Sequence, residues 1–423
     1  MSKLMILGGS NCQLHALRRA RERGIETVLI DYTDHPPGKE YADVHIPVST
    51  FDHDACIKAA REAHIDGVLA VGTDQPVYTA ALVAEALRLP SALTGNQALR
   101  VTNKREMKDV YQTQDIPSPS YMYLNAKGVF LDASGKEAAL SLNPPYVIKP
   151  ADAQGQRGVF RVSSKEALLR RLPETLSFSK EEICIVEEYI ESDEMTVSGW
   201  VEGGVLHPLT IVDRLHYPDD VHIGVCTGHR YPSRYIAQKE EIIALSRRIT
   251  EAFALREGPF YFQILRTPQG TLFAGEIACR IGGAFEDITI PQLTGFDILD
   301  AAIDLSLGIG RSPFPKTACH DDTAREKCFV ALIFCRPGRI RSITPAEEIL
   351  SLAGVADCGY NYQAGDMIPV MQNATARFGH AVVFGDDDTL PVRVRRLFET
   401  LRVENGDGEN LLFLPHAQGC AIM

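Results

Sequence analysis

Short apolar runs alternate with amphipathic stretches through the first hundred residues of the chain. The apolar runs cover residues 4–7, 27–30 and 68–71, and the amphipathic stretches cover residues 13–23, 54–64 and 77–87. Short apolar runs bounded by turn residues are typical of buried strands, and apolar residues spaced three and four apart are typical of helices. Strands and helices in alternation build parallel βαβ units. We therefore expect an α/β domain at the start of the chain.

Length and charge exclude several classes of protein. The chain has 423 residues, 45% of them hydrophobic, which is enough for two to four domains at roughly 100 to 200 residues each. The net charge is −12 without a basic stripe, which argues against nucleic acid or an anionic membrane as a partner. All apolar runs are shorter than the roughly 20 residues of a membrane span. Ten cysteines without a CxxC pair, and a start without the features of a secretory signal, predict a cytoplasmic protein.

A helix is predicted to begin at Asn103. Asn103 and Glu106 form a capping pair in front of Met107 and Val110, which stand at helical spacing. Lys104 then lies in the first turn, where a cation opposes the helix dipole at a cost of about 0.3 to 1 kcal/mol. Either Lys104 is a tolerated surface residue, which this pattern alone favours, or an anion binds beside it.

A polar loop between two predicted strands follows further along the chain. The strands cover residues 146–149 and 159–162, and the loop between them contains Gly155 and Gly158. Small polar residues punctuated by glycine are typical of a mobile flap. Lys149 closes the first strand and gives the loop a positive charge that could face a phosphate. A plain hairpin tip is the alternative interpretation.

A second hairpin, over residues 260–283, separates polar from apolar side chains. A four-residue turn at 267–270 would place Tyr261 opposite Glu276. Alternate residues of a strand point to opposite faces, so each strand contributes to both sides of the hairpin. The polar face would carry Gln263, Glu276 and Arg280, and the apolar face, packed on a core, would carry Phe260, Phe262, Ile264, Phe273 and Ile277.

The polar face has the composition of a magnesium site. Gln263 and Glu276 bring an amide oxygen and a carboxylate together, and small residues between them leave room for a hard cation that keeps phosphate oxygens as further ligands. Arg280 would neutralise a carboxylate or phosphoryl group beside the metal. The alternative is the solvated face of a surface hairpin with an ordinary ion pair. The Gly282-Gly283 run, which an ordinary strand end does not need, weakens that alternative.

Together these segments resemble the ATP-grasp superfamily, and most closely its amino-acid-ligase-like carboxylate–amine ligases. The motifs that carry the resemblance span nearly the whole chain: Leu7-Gly8-Gly9-Ser10 with Gln13, Asn103-Lys104, Val147-Ile148-Lys149-Pro150 with the glycine loop, Val186-Glu187-Glu188-Tyr189-Ile190 followed by Glu194, and the run from Glu276 to Gly283. The resemblance implies a mixed α/β and α+β architecture, the ATP-grasp fold. Its parts would be an N-terminal Rossmann-like pre-grasp domain (1–102), a small lobe (103–193), a large lobe with the metal site (194–312) and a C-terminal lid-like domain (313–423).

The resemblance also implies a role for each site residue. Lys104 and Lys149 would contact the phosphates of ATP. The adenine hinge would be lined by Glu187, Tyr189 and Ile190, and the ribose hydroxyls would be bound by Glu194. The loop that closes over the triphosphate would contain Gln154, Gly155 and Gly158. Gln263 and Glu276 would hold Mg²⁺, with Mn²⁺ as the alternative ion, and Arg280 would meet the substrate carboxylate or the acyl phosphate. Arg280 and Lys149 would be the catalytic residues. Ala278 stands where many relatives carry Asn, so a second metal would have fewer protein ligands.

The implied reaction joins a carboxylate to an amine. The substrate carboxylate attacks the γ-phosphorus of ATP, and an amine then displaces phosphate from the acyl phosphate, which requires positioning and charge neutralisation but no protein nucleophile. An ATP-dependent carboxylase or carbamoyl-phosphate-type enzyme would use the same machinery with bicarbonate, and the sequence leaves both open. A dinucleotide oxidoreductase is disfavoured by the missing GxGxxG, and a nucleotide sensor by the presence of Lys149, Glu276 and Arg280 together.

Several features are open at the level of sequence. His216, His222 and His229 lie in a stretch of irregular polarity, where we favour an ordinary exposed loop over a substrate-facing one. Cys279 is expected to pack in the interior, and His380, which lies in a strand-like run, in the core or at a sheet edge. The substrates are expected to be a small carboxylate and a small amine of unidentified structure, and a homodimer is compatible with the sequence.

Overall fold

The computed structural model describes residues 2–217, 223–310, 314 and 326–413. The N-terminal unit consists of β1 (Lys3–Leu7), α1 (Leu14–Glu22), β2 (Glu26–Ile30), β3 (Val44–Ile46), α2 (His53–Ala63), β4 (Gly67–Leu69), α3 (Gln75–Leu87) and α4 (Gly95–Thr102). Its four strands are parallel, in the order β3-β2-β1-β4. The α/β domain predicted from the alternating pattern is therefore confirmed.

The next unit is a helix followed by an antiparallel sheet. It consists of α5 (Lys104–Thr113), β5 (Tyr121–Asn125), β6 (Phe130–Leu131), β7 (Tyr146–Pro150), β8 (Phe160–Val162), α6 (Lys165–Leu176) and β9 (Ile183–Glu188). The strand order is β6-β5-β9-β7-β8. Asn103 caps α5 as predicted, because its side-chain oxygen accepts from the backbone N–H groups of Arg105 and Glu106.

A large antiparallel sheet forms the centre of the molecule. Its first part contains β10 (Asp193–Glu202), β11 (Val205–His216), β12 (Cys226–Tyr231), α7 (Lys239–Ala252), β13 (Gly258–Arg266), β14 (Leu272–Ala278), α8 (Glu286–Thr294) and α9 (Ile298–Leu307). One face of the sheet packs on α7 and the other on α8 and α9, so that Val197 belongs to the first core and Trp200 to the second. The β13–β14 hairpin lies at one edge of this sheet.

The C-terminal strands extend the same sheet. They belong to a segment of β15 (Lys327–Cys335), β16 (Gly338–Arg339), β17 (Ser342–Ile343), α10 (Ala346–Leu350), β18 (Val355–Tyr360), β19 (Met367–Ile368), β20 (Gly379–Gly385), α11 (Thr389–Thr400), β21 (Val403–Glu404) and β22 (Leu412–Phe413). The order along the large sheet is β14-β13-β10-β11-β12-β15-β20-β18, and β22 pairs with β15. The sheet thus runs unbroken past the predicted boundary at residues 312 and 313. Within the described ranges, no helix has the length and apolar character needed to cross a bilayer.

The predicted register of the β13–β14 hairpin is wrong. The turn covers five residues, 267–271, so that Arg266 pairs with Leu272. A β-bulge in β14, where residues 275 and 276 stand opposite Gln263, adds a second offset that brings Tyr261 opposite Ala278 instead of Glu276. One offset reverses the side-chain faces and a second restores them. Phe273, between the turn and the bulge, is consequently half-buried and outside the core cluster to which it was assigned. Beyond the bulge the predicted faces hold.

Candidate active site

Two chambers meet at the polar face of the β13–β14 hairpin. The lobe chamber, a cavity of about 230 Å³, lies between the small antiparallel sheet and the large sheet. The junction cavity, of about 600 Å³, lies between the N-terminal unit, the loop of residues 151–158 (the flap loop) and the C-terminal strands. Gln263 and Glu276 line both cavities. A ligand that occupies both chambers would therefore pass over these two side chains.

Lys104 points into the site from the first turn of α5. Its Nζ donates to the carbonyl oxygen of Ala153 in the flap loop (2.7 Å) and lies 3.6 Å from Oε1 of Glu276. Only 7% of its surface is exposed. The surface interpretation of Lys104 is therefore wrong, because the flap loop and Glu276 enclose the side chain.

Glu187 lies between two further lysines. The Nζ atoms of Lys108 and Lys149 lie 2.6 and 2.8 Å from its two carboxylate oxygens. Burial alone would raise the pKa of Glu187, but the two ammonium groups together lower it to about 2. The Glu187 carboxylate thus pairs with the two lysines, while the residue also lines the lobe chamber, and its role at an adenine hinge stays a prediction. Lys108, which sequence reasoning missed, stands one helical turn after Lys104.

The other predicted nucleotide-binding residues of this region line the lobe chamber. They are Tyr189, Ile190 and Glu194. Oε2 of Glu194 lies 2.5 Å from Arg214 and 2.9 Å from Nε2 of His216. Burial opposes ionisation of Glu194, but His216 and Arg214 lower its pKa to about 2. The carboxylate is therefore charged near neutral pH and able to accept hydrogen bonds from hydroxyl groups.

The three predicted flap-loop residues have different surroundings. Gln154 and Gly155 line the junction cavity, and the carbonyl of Gly155 accepts from the backbone N–H of Ala374 at 3.2 Å, so the flap loop touches the C-terminal segment. Gly158 is outside the described walls of both chambers. A Cβ on Gly158 would stand 2.9 Å from Phe178 and 3.2 Å from the carbonyl oxygen of Thr175. Gly158 therefore serves close packing at the base of the loop.

Gln263 and Glu276 offer a donor set that fits magnesium. Both supply oxygen atoms to the point where the chambers meet, and the Glu276 side chain is 32% exposed, so its carboxylate is accessible. Among the described residues, no cluster of three or more His, Cys, Asp or Glu side chains could enclose a metal ion. Mg²⁺ suits such a set, because it usually takes one or two protein oxygens and fills its remaining positions with water and phosphate. Ala278, at the predicted Asn position, lines the same region.

Arg280 is held by a carboxylate from another part of the chain. Its guanidinium contacts Oδ1 of Asp74 through Nε at 2.8 Å and Nη2 at 2.5 Å, and it stacks over the ring of Tyr261 at 4.5 Å. Asp74 follows the carboxyl end of the parallel strand β4. Since ligand sites form beyond the carboxyl ends of parallel strands, this position could have identified Asp74 as a site residue from the sequence. Neighbouring Cys279 packs in the opposite core as expected, where burial raises the pKa of its thiol to about 12.

The C-terminal segment completes the junction cavity with residues that sequence reasoning did not assign to the site. Arg377 and His380 line it beside Phe285, whose ring stacks on the imidazole of His380 at 3.6 Å. Nε2 of His380 lies 2.7 Å from Oδ2 of Asp357, so His380 is buried as expected but also belongs to a polar wall. The sequence signal that could have found Arg377 is the short run Arg377-Phe378-Gly379-His380 at the start of β20.

The three histidines of the irregular stretch do not share one environment. His216 contacts Glu194, and His229 is buried in the wall of the junction cavity, which contradicts an ordinary exposed loop for both. Burial, and then Arg214 and Arg377, lower the pKa of His229 to about 3, so its ring is neutral near pH 7. His222 lies outside the described residues.

Comparison with known proteins matches two segments of the chain to families. Residues 101–258 match the model of the ATP-grasp domain, and residues 330–405 match the model of the L-amino acid ligase C-terminal domain 2. The chain is also similar to the L-arginine-specific L-amino acid ligase of Bacillus subtilis, at 26% identity over 287 residues. That alignment spans 66% of this chain and 65% of the relative, slightly less than two thirds of the relative's length.

Solved structures reproduce the fold over nearly the full length. The L-amino acid ligase from Bacillus licheniformis gives a TM-score of 0.78 at 17% identity and covers 96% of this chain and 99% of that one. The biotin carboxylase domain of the 2-oxoglutarate carboxylase of Hydrogenobacter thermophilus gives 0.75 at 16% identity, with coverage of 95% and 90%. At these identities the likeness establishes the architecture of the chain.

Proposed function

Because the chain is a member of the ATP-grasp superfamily, we propose that it is an ATP-dependent carboxylate–amine ligase that joins amino acids through an acyl phosphate and releases ADP and phosphate. The observation that carries the proposal is the position of Gln263 and Glu276 where the two chambers meet. Lys108 and Lys149 line the lobe chamber, whereas Lys104 and Arg280 line the junction cavity. Such an arrangement suits transfer of a phosphoryl group from a nucleotide in the lobe chamber to an acid in the junction cavity.

The chain's own residues would act mainly by holding charge in place. Lys104 and Lys149 would bind the phosphates of ATP, with Glu187 fixing Lys149 through their 2.8 Å contact. Tyr189 and Ile190 would contact the base, and Glu194 would accept hydrogen bonds from the ribose hydroxyls. Mg²⁺ or Mn²⁺ bound by Gln263 and Glu276 would offset the negative charge of the β- and γ-phosphates.

Arg280 would orient the acid for attack on the γ-phosphorus. A substrate carboxylate oxygen forms the new bond to phosphorus, and ADP leaves with the electron pair of the broken bond. The amine nitrogen then attacks the acyl carbon, the bond between that carbon and the phosphate oxygen breaks, and inorganic phosphate leaves with the electron pair while the nitrogen releases a proton to solvent. Asp74 positions Arg280 and is not itself required to touch the substrate. The flap loop, tied to Ala374 through Gly155, would keep water away from the acyl phosphate.

The bicarbonate-dependent alternative draws support from the likeness to a biotin carboxylase domain. The match of residues 330–405 to the L-amino acid ligase C-terminal domain favours the amide-forming reaction. Both versions use small-molecule substrates and no nucleic acid. We propose a cytoplasmic location for the enzyme, and the oligomeric state, for which a homodimer is one outcome, can be measured by light scattering.

One experiment separates these functions. The protein is incubated with ATP, Mg²⁺ and all pairs of the proteinogenic L-amino acids, while ADP release is followed and dipeptides are identified by mass spectrometry. We expect ADP and a dipeptide in equal amounts for a subset of pairs. ADP release that depends on bicarbonate and not on an amine would support the carboxylase alternative, and no ADP under any condition would refute both.

A further inference from the structure

Arg377 differs in its ion pairing from Arg280 and Arg214, which also line the junction cavity. Arg280 is paired with Asp74, and Arg214 is paired with Glu194. Arg377 has no carboxylate partner within the part of the chain that the structure describes. Among the described residues, its side chain makes one hydrogen bond, a long contact of 3.5 Å from Nη1 to the carbonyl oxygen of Gly283, and its Nε is buried without a hydrogen-bond partner.

A buried guanidinium nitrogen without an acceptor is unfavourable, because the group has lost water and gained nothing in exchange. A guanidinium is always charged and presents its donors in a planar fork that matches a carboxylate. The cavity in which Arg377 lies is large enough for a small organic ligand. These properties together indicate an anionic group of a ligand as the missing partner.

The position of Arg377 separates this anion from the nucleotide and from the activated acid. Arg377 lines the junction cavity but not the lobe chamber, where Lys149 lies. It contacts Gly283, three residues beyond Arg280, so the two guanidinium groups border the same cavity from different parts of the chain. If Arg280 serves the acid that becomes the acyl phosphate, a second carboxylate in this cavity must belong to the other substrate.

We infer that Arg377 binds the carboxylate of the amine substrate, which is an amino acid under the proposed function, and that the C-terminal segment is the surface that recognises it. The inference rests on the proposed ligase function. The carboxylate would be held at the wall that carries Arg377, and the amino group of the same molecule would remain free to approach the acyl carbon near Arg280.

The test compares three amines in the wild type and in Arg377→Met. The acid is the L-amino acid that gives the highest turnover, and the amines are the best acceptor amino acid, its carboxamide and hydroxylamine. We expect Arg377→Met to lower kcat/KM for the amino acid by about 10- to 100-fold, mainly through KM, as loss of a charge-assisted hydrogen-bonded pair implies. The loss should be confined to the amine that carries a carboxylate. Arg377→Lys should give an intermediate loss, because it keeps the charge but not the fork.

A matched control replaces a surface arginine of the same segment. Arg396 on α11 is 68% exposed, and Arg396→Met should leave all three reactions at wild-type rates. An equal loss with all three amines would overturn the inference by assigning Arg377 to the acid or the nucleotide, and no loss with any amine would overturn it as well. A wild type that releases no ADP with any amine would instead refute the ligase function, and the inference with it.

Discussion

Glu276 is the residue on which the proposed chemistry depends most. It is the one carboxylate among the described residues that lines both chambers. We expect Glu276→Gln to lower ATP turnover roughly 100-fold or more, because an amide cannot replace the charge that a carboxylate brings to a metal ligand set. ADP release at saturating ATP, with and without added Mg²⁺, measures the effect. Replacement of the exposed Glu251 of α7, Glu251→Gln, is the control, and turnover of Glu276→Gln at the control rate would exclude the metal role.

Glu187 gives a prediction about stability. Glu187→Gln leaves Lys108 and Lys149 buried without their counter-charge, a change that typically costs about 3 to 5 kcal/mol of unfolding free energy. Since the folded-state pKa of Glu187 is lowered to about 2, its contribution is present above about pH 4.5 and is lost as pH falls towards 2. Urea denaturation, followed by fluorescence of the single tryptophan Trp200, should show a gap between wild type and variant that is constant above pH 5 and narrows below it.

The exposed ion pair of Arg171 and Glu174 provides the comparison for that experiment. Glu174→Gln removes a carboxylate that is 49% exposed, and such pairs contribute at most about 1 kcal/mol. An equal shift of the denaturation midpoint in Glu174→Gln and Glu187→Gln would contradict a special role for the buried lysine pair.

The individual site residues show where sequence reasoning reaches its limit. The capping pair at Asn103 fixed the start of α5 correctly, since all its interactions are local. The burial of Lys104 could not be predicted in the same way, because the carbonyl that accepts its hydrogen bond belongs to Ala153, 49 residues away. The partner of Arg280 is still more remote, because Asp74 is 206 positions away in the sequence. Residue type and motif identify the chemistry, whereas the partners depend on the folded chain.

At the scale of secondary-structure elements, the β13–β14 hairpin shows a different limit. Its strands and its polar face could be predicted from alternation, but the length of its turn and its bulge could not. The turn is closed by Thr267, whose backbone N–H donates to the carbonyl of Thr271 at 3.0 Å and whose hydroxyl accepts from the backbone of Thr271. A turn closed by a threonine hydroxyl differs little in free energy from a tight four-residue turn. The alternation of polar and apolar residues therefore does not decide which of the two turns forms.

The flap loop offers a prediction that separates two glycines. Gly155 and Gly158 both have positive φ, +70° and +71°, so alanine strains the backbone at each by about 1 to 2 kcal/mol. A Cβ at Gly155 would meet nothing closer than 3.9 Å, whereas one at Gly158 would crowd Phe178, Pro150 and the backbone of Thr175. Gly158→Ala should therefore lower the denaturation midpoint and increase proteolytic cleavage of the loop more than Gly155→Ala does. A larger effect at Gly155 would show that packing at the base of the loop is unimportant.

At the scale of the whole molecule, the junction cavity is assembled from segments that are far apart in sequence. The N-terminal unit contributes Asp74, the large lobe contributes Arg280 and the C-terminal segment contributes Arg377. The order of motifs along the chain was sufficient to predict the ATP-grasp fold, which the comparisons confirm. The domain boundaries stay predictions, and the continuity of the large sheet through β12 and β15 could not be inferred, because strand pairing across a predicted boundary leaves no local signal.

A network of histidine and aspartate side chains connects these parts of the molecule beside the junction cavity. Nδ1 of His15 in α1 lies 2.8 Å from Asp287 at the start of α8, and its Nε2 lies 3.8 Å from Asp357 in β18. Asp357 in turn accepts from His380 at 2.7 Å. Burial opposes a charge on His15, but its hydrogen bonds to Asp287 and Asp357 and their charges raise its pKa to about 10. His15 is therefore a cation near pH 7 that holds carboxylates of two other parts of the structure.

This arrangement predicts that the contact between the three parts weakens at alkaline pH. Because the pKa of His15 is raised in the folded state, its stabilisation is complete below about pH 6.5 and declines as pH rises towards 10, by no more than about 1.4 kcal/mol per pH unit. His15→Gln keeps a polar side chain but loses the charge, so its urea midpoint should be lower at pH 6.5 and should approach that of the wild type at pH 10. The exposed His35→Gln serves as the control. If His15→Gln and the wild type differ by the same amount at every pH from 6.5 to 10, the imidazolium is not what joins the three parts.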